Sequence, residues 1–156
     1  ICYRLIQVGI NVSWYIIGFG SDEELIKSKI MQWNMEEHVI LLGKKENPYP
    51  YIKSCDWYIQ PSRFEGKAVA VCEAQILHKP VIIANYATAK SQLVNGYDGM
   101  IVSQDNVECA KEIANIIKDE KLKESLIDNT CRKDYSGSIR LLRKSKAGNH
   151  TQSFYG

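Results

Sequence analysis

No stretch of this chain approaches the roughly 20 apolar residues that a membrane-spanning helix needs, and no charged-then-apolar leader opens it. Neither a span nor a secretory signal is therefore expected. The five cysteines, Cys2, Cys55, Cys72, Cys109 and Cys131, are odd in number and lack close paired spacing, which excludes a disulfide framework and a zinc site. A reducing, cytoplasmic setting follows from that usage. A formal net charge of +2 is too small to imply a nucleic-acid partner. The three histidines, His38, His78 and His150, form no metal constellation, and no internal repeat is present. Gly18-Phe19-Gly20 lacks the third glycine of a dinucleotide fingerprint, with Glu23 or Glu24 standing where it would fall, so a tight strand-to-helix turn is the better reading.

What is present is a chain of 156 residues that is 45% hydrophobic, enough to bury one core. Its charge is uneven. From Arg132 onward six basic residues (Arg132, Lys133, Arg140, Arg143, Lys144 and Lys146) face one acid, Asp134. The patterning predicts a helix from Ile1 stopped by Gly9, a strand over Ser13 to Ile17, and a helix from the Ser21 start signal to about Trp33. Further on it predicts a strand at Val39 to Leu42 closed by Gly43, a short helix opened by Pro48, and a strand at Asp56 to Gln60. The remainder reads as a helix over Gly66 to His78, strands at Val81 to Ala84 and Met100 to Val102, and helices near Ala89 to Val94, Val107 to Ile117 and Leu122 to Arg132. Strands alternating with helices imply right-handed βαβ units and a Rossmann-like α/β domain, a parallel sheet flanked by helices on both faces, over residues 1–135. Residues 136–156 read as a basic, partly disordered tail.

Two carboxylates stand where folding alone does not ask for them. Glu65 falls in the loop between a strand and a helix, and Glu73 is the one charge inside the apolar run Ala68-Val69-Ala70-Val71-Cys72-Glu73-Ala74. In an open parallel sheet, ligands bind beyond the carboxyl ends of the strands, where such a loop lies. The backbone N–H groups of Gly66, Lys67 and Ala68, at the expected helix start, are donors for a phosphate, and Lys67 adds positive charge. A carboxylate at Glu73 needs partners if buried, and two ribose hydroxyls meet that need. The bland alternative is that Glu65 caps the helix and Glu73 pairs with a basic neighbour.

Pro61-Ser62-Arg63-Phe64-Glu65-Gly66, followed by Glu73-Ala74 and Lys79-Pro80-Val81-Ile82, resembles the central motif of the group 1 retaining glycosyltransferases of the GT-B fold, whose two glutamates are likewise separated by seven residues. Trp14 to Gly20, Val39 to Gly43 and Asn95-Gly96-Tyr97-Asp98-Gly99 are similar to other segments of that family's C-terminal, donor-binding domain. The resemblance implies a nucleotide-diphosphate sugar as donor, most naturally UDP-linked, used in bacterial surface-polysaccharide synthesis. It implies that Glu65 contacts the transferred sugar, Gly66, Lys67 and Ala68 the sugar and diphosphate, Glu73 the ribose, and the backbone at Lys44 and Lys45 the base. No Asp-x-Asp motif is present, consistent with a metal-independent reaction without cofactor. The chain has Lys67-Ala68 where the family has Phe-Gly, and nothing after Ile1 matches the family's basic pair.

The chain is therefore expected to be a fragment lacking the N-terminal acceptor-binding domain and inactive alone. The alternative is a non-catalytic nucleotide-sugar-binding module that needs a separate acceptor-domain partner. Asn47-Pro48-Tyr49-Pro50-Tyr51 reads as a rigid loop, with a tyrosine shaping the nucleotide pocket as the alternative. The basic tail reads as a solvated helix; its alternative is peripheral contact with an anionic membrane at the inner face, where a lipid-linked acceptor resides.

Overall fold

A computed structural model of the chain describes residues 1–66 and 68–139; Lys67 and residues 140–156, with most of the basic tail, lie outside the described residues. The order of elements is α1 (Cys2–Gln7), β1 (Trp14–Ile17), α2 (Glu23–Gln32), β2 (Val39–Gly43), α3 (Tyr49–Ser54), β3 (Tyr58–Gln60), α4 (Val69–Ile76), β4 (Val81–Ala84), α5 (Ala89–Gln92), β5 (Met100–Val102), α6 (Asn106–Ile116) and α7 (Glu120–Arg132). Every strand pairing is parallel, as the alternation of strand and helix requires.

The core is sorted by the two-residue period of β4, which is buried along its whole length. Val81 and Ile83 face one layer with Ile52 of α3, Val71 and Ala74 of α4 and Ala89 of α5. Ile82 faces the other, with Leu5 of α1, Val102 of β5 and Cys109 and Ile113 of α6. Helices thus cover both faces of β4, which is why its sequence is a continuous apolar run rather than an alternating one.

Helix ends follow the local signals. Gly9, at φ +79°, stops α1, with Ile10 N–H donating to Leu5 C=O and Gly9 N–H to Ile6 C=O. His78 does the same for α4 at φ +56°: its N–H reaches Gln75 C=O at 2.9 Å and Lys79 N–H reaches Ala74 C=O at 3.0 Å. This is the paired-bond closure usually built on glycine. The backbone of His78, not its imidazole, therefore satisfies the helix carbonyls. Asp105 caps α6, its carboxylate accepting from Val107 and Glu108 N–H, which holds its carboxyl below the ordinary range.

The described strands form two parallel ladders, β1-β2 and β3-β4-β5, flanked by helices as expected. One expectation is corrected: α4 begins at Val69 and not at Gly66. Thr88 Oγ1 donates to the carbonyls of Glu65 and Gly66 at 2.9 and 2.6 Å, and Gln92 Nε2 to Gly66 C=O at 3.1 Å. These bonds tie the segment to α5 before it can enter the helix.

Candidate functional site

The loop after β3 carries Glu65, and the bonds from Thr88 and Gln92 fix its path from the far side. Gln60, the last residue of β3, donates its side-chain amide to Glu65 Oε1 at 2.7 Å. The Tyr58 phenol donates to Gln60 Oε1, also at 2.7 Å, which dictates which face of the amide meets Glu65. Tyr58, Gln60 and Glu65 form one directed chain along the carboxyl end of β3. Burial raises the Tyr58 phenol's pKa, and the negative charges of Glu73 and Glu65 push it further the same way, so both carboxylates act on one hydroxyl.

Glu73 lies on the second turn of α4 and is 6% exposed. Tyr49, at the start of α3, donates its hydroxyl to Glu73 Oε1 at 2.7 Å. Asn47 Oδ1 accepts from Tyr49 N–H at 3.1 Å, and Pro48 precedes it as the cap residue of α3. The rigid Pro-flanked segment thus delivers one tyrosine to the carboxylate, while Tyr51 is exposed beneath the Lys45 ammonium, 5.5 Å from its ring. Lys44 sits over Phe19 in the same way at 5.1 Å.

Between the two glutamates lies the start of α4. Its cap residue, Ala68, offers no side-chain acceptor, so the first-turn N–H groups of Val69 and Ala70 join those of Gly66 and Ala68 as backbone donors at this end. Ser62 Oγ is buried close by in sequence and has no hydrogen-bond partner among the described residues.

One cleft of about 1970 Å³ is bordered by Gly18 to Gly20, Lys44, Lys45, Glu65, Gly66, Ala68 and Glu73. The expected site residues all border this cleft, save Lys67, which lies outside the described ones. Sequence reasoning missed Gln60, Thr88 and Gln92. A polar residue ending an otherwise apolar strand was the available signal for Gln60; no local pattern marks the other two. Burial, and after it the charge of Glu65, pushes the nearby Tyr86 phenol up to about 12. Among the described residues, no group of three or more histidine, cysteine, aspartate or glutamate side chains is placed to hold a metal ion, and no helix is long and apolar enough to cross a membrane.

The chain is 29% identical over 127 residues to the capsular polysaccharide biosynthesis glycosyltransferase CapM of Staphylococcus aureus, covering 80% of this chain and 33% of that protein. It is 28% identical over 123 residues to an uncharacterized glycosyltransferase of Methanocaldococcus jannaschii, covering 77% of this chain and 35% of the relative. It thus spans about a third of the length of these curated relatives. Among solved structures, Anabaena HepE in complex with UDP-glucose superposes with a TM-score of 0.75 at 19% identity, over 95% of this chain and 44% of HepE. The shared fold is one half of a GT-B architecture. The family model described as glycosyl transferases group 1 matches residues 3–133, and on that match the chain belongs to the group 1 glycosyltransferases.

Proposed function

We infer that these residues form the donor-binding domain of a retaining glycosyltransferase that takes a nucleotide-diphosphate sugar, UDP-linked, for polysaccharide synthesis. The observation that carries this is the placement of two carboxylates, Glu65 and Glu73, on one cleft with the side-chain-uncapped start of α4 between them. The diphosphate sits against that start, where backbone N–H groups and the helix dipole favour negative charge, and Lys67 adds a cation. Glu73, already accepting from Tyr49, takes the ribose hydroxyls. Glu65, held by Gln60, positions the transferred sugar. The backbone at Lys44 and Lys45 borders the base.

Charge builds on the departing diphosphate as the glycosidic bond breaks, and donors fixed in advance stabilise it most where charge develops. In this reading the helix start and Lys67 do this without a metal. The acceptor is supplied by a domain outside these residues, and the reaction runs in the cytoplasm beside the membrane that carries it.

The test is titration calorimetry of the folded chain with UDP and UDP-sugars. Binding by the wild type, weakened at least about tenfold in Glu73→Gln, is expected, since a lost charge-assisted hydrogen bond costs about 1.5–3 kcal/mol. Wild-type chain that is folded yet binds neither ligand at millimolar concentration would overturn the reading. The related solved structure of HepE holds UDP-glucose, which supports the choice of ligand.

A further inference from the structure

Phe64 stands out of the loop after β3 with 91% of its surface exposed, more than any other large apolar side chain among the described residues. A ring left in water forgoes the burial that draws such a side chain into a core. A loose loop would account for that, but the backbone here is tied on both sides of the ring. Ser62, two residues earlier, is buried, and Gln104 Nε2, from the segment between β5 and α6, donates to Arg63 C=O at 2.7 Å. On the other side Thr88 Oγ1 donates to Glu65 C=O at 2.9 Å, while the Gln60 amide holds the Glu65 carboxylate at 2.7 Å. The anchors fix where the ring is carried, beside Glu65 and on the same cleft.

Other rings on that cleft are already engaged. Phe19 lies beneath Lys44 Nζ at 5.1 Å and Tyr51 beneath Lys45 Nζ at 5.5 Å, and the Tyr58 phenol is bonded to Gln60. Phe64 makes no ring or cation contact among the described residues. At 91% exposure both of its faces are open.

Its position next to a sugar-holding carboxylate decides what such a ring can serve. A hexopyranose carries hydroxyls around its rim and C–H groups on its faces, and in the gluco and galacto configurations the axial hydrogens of C3 and C5 share one face. A carboxylate accepts from rim hydroxyls. The face needs an apolar surface, and its hydrogens, on carbons that bear oxygen, carry partial positive charge that the negative face of an aromatic ring attracts. Glu65 and Phe64 supply one of each.

We propose that Phe64 is a specificity-determining residue for the donor, its ring forming the platform on which the C–H face of the transferred hexose rests while Glu65 takes the hydroxyls. The proposal rests on the donor-binding reading and deepens it, since it names a hexopyranosyl group of gluco or galacto configuration as the one this site holds. The nucleoside diphosphate, lying toward the start of α4 and Glu73, does not touch the ring.

The test is calorimetric titration of the wild-type chain, Phe64→Leu and Phe64→Tyr with UDP, UDP-glucose, UDP-galactose and UDP-N-acetylglucosamine. Phe64→Leu keeps an apolar side chain without the aromatic face, so it should bind the preferred UDP-sugar about threefold to tenfold more weakly and UDP as the wild type does. Phe64→Tyr should bind both as the wild type does. In NMR spectra of the bound ligand, the ring current should move the C3 and C5 proton signals of the hexose upfield with the wild type and Phe64→Tyr, and not with Phe64→Leu. An exposed side chain bears little on the fold, so the three proteins should share one thermal midpoint. UDP-sugar affinity unchanged in Phe64→Leu, equal losses for UDP and UDP-sugar, or hexose signals unshifted by the wild type would overturn the proposal and leave the donor-binding reading standing. So would a wild type that binds UDP but none of the three UDP-sugars. A folded wild type that binds none of the four ligands overturns both.

Discussion

The Gln60 side-chain amide donates to the Glu65 carboxylate at 2.7 Å, and the Tyr58 phenol, at 2.7 Å from the Gln60 oxygen, fixes that amide's orientation. Gln60 thus acts on Glu65, not on the nucleotide.

Gln60→Leu keeps the side chain's bulk and removes the donor. A hydrogen bond to a charged group is worth about 1.5–3 kcal/mol, so affinity for a UDP-sugar should fall by about tenfold or more while affinity for UDP alone is unchanged. Parallel calorimetric titrations check this; equal losses for both ligands would show that Gln60 serves the fold and not Glu65.

Tyr49→Phe deletes the hydroxyl that donates to Glu73 across two elements. Glu73 is buried and loses one donor, so the chain should be destabilised by about 1–3 kcal/mol, read as a lower urea midpoint at unchanged slope. UDP should bind more weakly as the carboxylate's orientation loosens.

Thr88→Val removes the hydroxyl shared by the Glu65 and Gly66 carbonyls. The loop is partly exposed and water replaces some of the bonding, so the stability loss should be small, about 0.5–1.5 kcal/mol. The larger effect is expected in UDP binding, weaker by calorimetric titration as the path of the loop loosens.

Alkaline pH should unfold the chain early. Tyr86 is raised from 10.0 to about 12 by burial first and Glu65 second, and burial also raises Tyr58 and Tyr135 above 10.0. A raised phenol stays neutral in the fold while the unfolded chain ionises, so its stability contribution is intact below pH 10 and is lost as pH climbs through the folded values. Burial also raises the thiols of Cys55 and Cys109 above 9.0, so thermal midpoints should begin to fall near about pH 9 and fall more steeply above about pH 10; Tyr86→Phe should flatten part of the upper fall.

Several features of this protein are written in short stretches of chain. Gly9 stops α1, Pro48 opens α3, and the unbroken apolar run Val81 to Ala84 marks a strand covered on both faces, because turns, caps and side-chain periods act within about four residues. Glu65 and Glu73 stood out for the same reason, as charges against a local pattern. Tertiary structure alone decided the rest. Tyr49 reaches Glu73 across 24 positions and Thr88 reaches Glu65 across 23, so neither partner leaves a periodic trace. The Thr88 contacts also moved the start of α4 to Val69, since a carbonyl tied to another element is lost to the helix. Trp14 to Ile17 shows the same division: its composition declares an interior strand, but which strand lies beside it is a matter of neighbours in space, and among the described residues that strand is β2.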